Sequence, residues 1–199
     1  MTPPNYVEVQ RSCNTAHSDG AIEKDGDSDV ALDLVGWLEE GGGAFDSVLV
    51  VGCRSGYEID AFRGAFSGAA VLGVDLVPEF VRYANSRGRC ALVADMHALP
   101  FGDRLFDLVY CCATLEHAHD AHLAVGEMLR VANRAVFCTA DLGTDSSKRN
   151  PSHFTFLDEP EWLALFDRPG WTVEHKIVEE SVHLFARRHS WNTSIPKWS

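Results

Sequence analysis

Between residues 47 and 188, short runs rich in β-branched and apolar residues alternate with longer amphipathic stretches, and this alternation limits what the chain can build. Such an order is the pattern of a mostly parallel sheet covered by helices on both faces. Strands are expected near 47–52, 70–75, 90–94, 106–112, 133–139, 171–177 and 182–188. Helices are expected near 29–40, 56–66, 78–87, 120–131 and 158–166, with Pro78 and Pro160 as first-turn residues. The last two strands follow each other with no helix between them, so they read as an antiparallel pair. The fold class is therefore α/β, a doubly wound seven-stranded sheet.

Residues 1–28 are polar, with Gly, Asp and Ser clustered in "SDGAIEKDGDSD". This segment reads as a flexible arm or flap outside the core, placed to close over a ligand. The domain proper is expected over 29–189, and 190–199 as a tail without periodicity.

The most informative segment is "VLVVGCRSGYE", Val48 to Glu58: an apolar strand runs into a glycine turn that opens a helix. A turn of this kind lets a ligand approach bare backbone at the carboxyl end of the first strand, where open α/β sheets bind ligands. Asp75 closes the next strand a little over 20 residues after Gly52, the usual interval to an acid that grips ribose hydroxyls. Asp95 ends the third strand, and "LPF", "FDLV", "LEH" and "EMLRV" follow in order at Leu99–Phe101, Phe106–Val109, Leu115–His117 and Glu127–Val131.

This ordered set, with Gly52, Gly56 and Asp75, resembles the class I, Rossmann-like S-adenosylmethionine-dependent methyltransferases, especially the group around the ubiquinone-biosynthesis type. The likeness covers residues 48–140 well and the flanks poorly. It implies S-adenosylmethionine as cofactor. Gly52 and Gly56 would bring backbone against its methionine part, with Cys53, Arg54 and Leu76 beside them. Asp75 would accept the ribose hydroxyls, Asp95 the adenine amino group, and Met96 would pack on the adenine face. Cys112, Ala113 and Thr114 would line the cofactor next to the sulfonium, while Glu116 and His117 would face the acceptor. Two positions depart from the family's pattern: Val50 stands where an acid is usual and Arg54 where a further glycine is usual. Two outcomes are open for Arg54: a clash with the cofactor, or pairing of its guanidinium with the methionine carboxylate, the second taken as the working hypothesis.

Methyl transfer from a sulfonium is an in-line displacement, so the protein must mainly align the acceptor and exclude water. A base is needed only for an acidic acceptor. His117, just past the fourth strand, and His153, in the loop "NPSHFTF", are the candidates, and Asp141 is a third. The acceptor is expected to be a small molecule selected by the arm, by the loop 141–158 and by the final strands. Oligomeric state is not legible.

Other readings fall away or stay open on chemistry. The formal net charge of -12 disfavours capture of nucleic acid. No apolar stretch is long enough to span a bilayer, no secretory leader is apparent, and no C-x-x-C pair exists, which together read as cytoplasmic. In "EHAHDAH" Asp120 directly follows His119, the wrong order for the metallo-hydrolase pattern H-x-H-x-D-H, so no metal is expected. "GCRSGYE" lacks the Lys of a phosphate-binding P-loop and the G-x-G-x-x-G of a dinucleotide fold. Two alternatives to an active methyltransferase remain at this level: a catalytically silent cofactor-binding or partner-binding module, suggested by Val50 and Arg54, and a nicotinamide-dependent oxidoreductase.

Overall fold

A computed structural model describes residues 6–15, 28–40, 43–143 and 151–191. In chain order the elements are α1 (Tyr6–Thr15), α2 (Ser28–Glu40), β1 (Ser47–Val51), α3 (Tyr57–Ala65), β2 (Ala70–Asp75), α4 (Pro78–Ser86), β3 (Ala91–Val93), β4 (Phe106–Cys111), a single 3-10 turn at Leu115–His117, α5 (Ala121–Val131), β5 (Ala132–Asp141), α6 (Glu159–Phe166), β6 (Trp171–Val178) and β7 (Ser181–Arg188). The sheet runs β3-β2-β1-β4-β5-β7-β6. The pairs up to β4–β5 are parallel, and β7 lies antiparallel between β5 and β6. This is the doubly wound α/β sheet that the alternation predicts.

The pleat sorts the core into two layers. Along β1, Leu49 and Val51 point to the side covered by α5 and α6, whereas Val48 and Val50 point to the side covered by α2 and α3. β4 repeats the division, with Val109 and Cys111 on the first side and Leu108 and Tyr110 on the second. All six residues of β4 are buried, as expected of a central parallel strand covered on both faces. Each large side chain removed from water in this way contributes about 1.5–3 kcal/mol.

Local chemistry fixes the helix ends. Asp120 is the N-cap of α5 and accepts from Leu123 N–H at 3.0 Å. Asp158 forms a reciprocal capping box with Glu161 at the start of α6, and Trp162 Nε1 donates to the Asp141 carbonyl at 3.1 Å, tying that helix to the end of β5. Such caps are worth about 1 kcal/mol each.

Of the arm expected over 1–28, residues 1–5 and 16–27 lie outside the described residues. Residues 6–15 form a helix, and Tyr6 is 1% exposed while Gln10 is 4% exposed. Tyr6 meets the rings of His97, His119 and Phe154 edge-on at 5.5, 4.6 and 5.4 Å. Its aromatic contacts and the hydrogen bonds of Gln10 bury a segment whose composition alone reads as solvated. Arg11 also forms an ion pair with Glu79 of α4. In the supposed tail, Trp191 packs against Phe45 at 5.3 Å, and 192–199 lie outside the described residues.

Candidate functional site

The strand order reverses between β1 and β4, and a crevice opens at their carboxyl ends, as open α/β sheets require at a switch point. Val51 pairs with Val74 and with Cys111, so these strands end level with one another. The chain then turns at Gly52, whose N–H donates to the Val74 carbonyl at 2.9 Å, as does Cys53 N–H at 3.0 Å. Gly52 has φ +73°, and a Cβ there would lie 2.3 Å from Thr114 Oγ1. Only glycine fits that approach.

The crevice is a cavity of about 290 Å³. Of the residues expected to hold the cofactor, Gly52, Arg54, Asp75, Leu76, Asp95, Met96, Cys112 and Ala113 lie on its wall. Cys53 does not; it is fully buried, in the core layer beneath α2 and α3, with its Sγ beside Gly73. Gly56 is absent from the wall too: it is the N-cap of α3 at φ +87°, where a Cβ would press on Arg89 Cδ at 2.9 Å. Both residues therefore shape the turn. Tyr6, Gln10, Ser55, Glu58 and Phe80 line the cavity without having been singled out by sequence.

Two acids stand at the ends of adjacent strands. Asp75 accepts Arg54 N–H at 2.9 Å on one oxygen and Val77 N–H at 2.8 Å on the other. Burial pushes its carboxyl above the ordinary value, opposed by these backbone donors and by the Arg54 charge. Asp95 accepts His97 N–H at 2.9 Å and meets His97 Nδ1 at 2.5 Å. Burial works against its charge, but the His97 donors and the neighbouring His119 hold its carboxyl below the usual range.

Arg54 and Val50 mark how this site departs from its pattern. Val50 is 1% exposed and packs in the core, so apolar contact stands in place of a carboxylate. Arg54 takes φ 43°, in the left-handed region that favours glycine. Its guanidinium lies 5.6 Å over the Phe80 ring, and its Nε is buried with no hydrogen-bond partner. Ala113, at φ 45°, is a second non-glycine in that region. Strained backbone at two places on one cavity wall is what ligand sites tend to carry.

Past β4 the short turn Leu115–His117 brings Glu116 and His117 beside the loop that follows β5. His117 lies on the cavity wall. Its Nδ1 is 3.0 Å from the Ser152 carbonyl, and because a carbonyl only accepts, Nδ1 carries the proton and Nε2 the lone pair. Burial holds the ring below the ordinary imidazole value, aided by His153 and opposed by the Ser152 carbonyl and Asp141. His153 is off the wall but packs edge-on against His117 at 4.8 Å, with its Nδ1 3.8 Å from an Asp141 oxygen. Burial likewise depresses its pKa against the pull of Asp141. Glu116 is 2% exposed, and burial pushes its carboxyl up to about 8, with Asp141 adding to the rise and its own backbone N–H opposing it.

Gln10 closes this end. Its Nε2 donates to the Ser152 carbonyl at 2.8 Å and to the His117 carbonyl at 3.2 Å. Elsewhere in the histidine run, His119 stacks on His97 at 3.8 Å and His122 is exposed. Among the described residues no helix is long and apolar enough to cross a membrane.

Comparison with known proteins agrees with this geometry. Residues 49–138 match the methyltransferase domain family. The chain is 33% identical over 149 residues to malonyl-[acyl-carrier protein] O-methyltransferase of Herminiimonas arsenicoxydans, which covers 73% of this chain and 56% of that protein. It is 30% identical over 142 residues to the protein of the same name from Halorhodospira halophila, covering 66% of this chain and 48% of that one. The chain thus spans about half the length of the curated relatives it matches. The magnesium protoporphyrin IX methyltransferase of Synechocystis PCC 6803, solved with bound S-adenosylhomocysteine, shares its fold at TM-score 0.71 and 17% identity, over 91% of this chain and 97% of that one. The glycine turn and the pair of strand-end acids thus lie within the segment, residues 49–138, that matches the methyltransferase domain family, and the fold is that of class I, Rossmann-like methyltransferases.

Proposed function

We propose that this protein transfers a methyl group from S-adenosylmethionine to an oxygen atom of a small-molecule acceptor. The observation that carries the reading is the convergence of Gly52, Asp75 and Asp95 at the level ends of β1, β2 and β3 around one cavity, with the buried Arg54 Nε left without a partner at its wall. The residues fit the cofactor chemically. Asp75 would accept the ribose hydroxyls, since its two carboxylate oxygens, which take Arg54 N–H and Val77 N–H, keep acceptor capacity. Asp95 would take the adenine amino group and Met96 its ring face. Arg54 would pair with the methionine carboxylate, giving the unpartnered guanidinium nitrogen its counterpart. Bare backbone at Gly52 and the turn Cys112 to Thr114 would border the sulfonium.

When bound, the cofactor supplies an electrophilic methyl group. The protein's share is alignment and exclusion of water. Tyr6 and Gln10 of α1 cover the cavity, and His117, backed by His153, is the group that engages the acceptor, with Nδ1 committed to Ser152 and Nε2 left to meet an oxygen or what holds it. The malonyl-[acyl-carrier protein] O-methyltransferase relatives favour a carboxyl oxygen as the methylated atom.

Methyl-labelled cofactor offered with a panel of malonyl thioesters, free carboxylic acids and alcohols tests this reading. Base-labile label on a carboxylic acid, absent with Asp75→Ala, is the expected result. Cofactor binding with no transfer to any acceptor would favour instead a silent cofactor-binding module, the reading that Val50 and the strained Arg54 support.

A further inference from the structure

Among the described residues, two groups of ligand-type side chains lie by the cavity, and they differ in what is still available. In the group Asp95, His97 and His119, the His97 Nδ1 faces Asp95 and its Nε2 accepts Asp120 N–H at 3.4 Å. Neither nitrogen of that ring is free for an ion. In the group Glu116, His117 and His153, one ligand atom from each lies within 4.8 Å of the others. Glu116 is 2% exposed and its Oε2 is buried with no hydrogen-bond partner. A buried carboxyl oxygen without a partner is costly and calls for a donor or an ion.

We propose that Glu116, His117 and His153 form a divalent-cation site at the acceptor end of the cavity. Two imidazoles and one carboxylate suit a first-row transition ion such as Zn²⁺ or Mn²⁺, and three protein ligands leave positions open for an acceptor oxygen. The surroundings are those of a ligand set held in place. His117 donates its Nδ1–H to the Ser152 carbonyl, which orients the ring and leaves the lone pair on Nε2, the outer-shell arrangement of metal-bound histidines. The Glu116 carbonyl accepts from Phe154 N–H at 2.9 Å and Thr155 N–H at 3.1 Å, clamping the two ligand-bearing segments together. Asp141, 3.8 Å from His153 Nδ1, stands as an outer partner of that ring. The ion would hold and polarise an oxygen of the acceptor. Only that last role rests on the proposed methyl transfer; the binding of the ion does not.

The test uses full-length protein without a polyhistidine tag, stripped with chelator and titrated calorimetrically with Zn²⁺ and with Mn²⁺, with and without S-adenosylhomocysteine. One equivalent of ion should bind, at least tenfold more weakly in Glu116→Gln and in His153→Ala, and unchanged in His119→Ala. Retained S-adenosylhomocysteine affinity in each variant shows that the fold has survived. Absence of saturable binding, equal binding by all variants, or loss in His119→Ala alone would overturn the site. Failure to bind S-adenosylhomocysteine is a separate result that counts against the methyltransferase reading and leaves the ion titration standing.

Discussion

Gln10, in the first helix, donates to the carbonyl of Ser152 at 2.8 Å across 142 residues of chain, so the N-terminal segment closes the same end of the cavity that bears His117. Removing this donor takes one of two partners from the Ser152 carbonyl, the other being His117 Nδ1, a loss of about 0.5–1.5 kcal/mol. Gln10→Ala should therefore lower Tm, by about 2–4 °C for each kcal/mol in a chain of this size. It should also speed amide exchange at residues 152–155. Unchanged exchange there would mean that α1 does not hold the loop.

Gly52→Ala places a methyl group 2.3 Å from Thr114 Oγ1 at a φ of +73°. Relief requires the turns after β1 and β4 to separate, costing about 1–3 kcal/mol in packing and spoiling the cofactor face. Affinity for S-adenosylmethionine should fall at least tenfold by calorimetry. Wild-type affinity would show that the turn can relax without opening the site.

For Arg54→Gly the two readouts should part. Stability should change little, because relief of the left-handed φ at residue 54 offsets the greater freedom of glycine in the unfolded chain. Cofactor affinity should fall about tenfold, the worth of one charge-assisted hydrogen bond. Equal binding by variant and wild type would remove Arg54 from the methionine carboxylate.

His183 provides a pH test away from the cavity. Burial in β7 holds its ring below the ordinary imidazole value, aided by Lys176 and opposed by Asp33. As pH falls, the unfolded chain takes up this proton first. Stability present above about pH 6.5 is then lost as pH drops from the unfolded value towards the depressed folded one. Between pH 7.5 and 5, Tm should decline less steeply in His183→Gln than in wild type. Parallel slopes would show that this ring does not set the acid limb.

How far the sequence revealed all this depended on what kind of force each element uses. Strands such as Ser47–Val51 and Phe106–Cys111 are legible because burial on both faces demands continuous apolar runs. Asp75, Asp95 and Gly52 are legible because their spacing follows the strand ends. Tyr6–Thr15 is not, since Tyr6 and Gln10 are buried by ring contacts and hydrogen bonds to residues about 90 to 150 positions away, which leave no apolar stripe to read. His97 escaped for a similar reason: its partners Asp95 and His119 come together only when β3 and the turn after β4 are folded. Cys53 and Gly56 read as cofactor contacts because turn-shaping and ligand-facing residues occupy neighbouring places in one glycine segment.

Calorimetric titration of wild type and Asp75→Ala with S-adenosylmethionine and S-adenosylhomocysteine, with NADH as control, bears most directly on the central claim. The account predicts saturable binding of the first two by wild type, loss of both in Asp75→Ala, and no binding of NADH. Folded wild-type protein that binds neither S-adenosyl compound, or that prefers NADH, would contradict it.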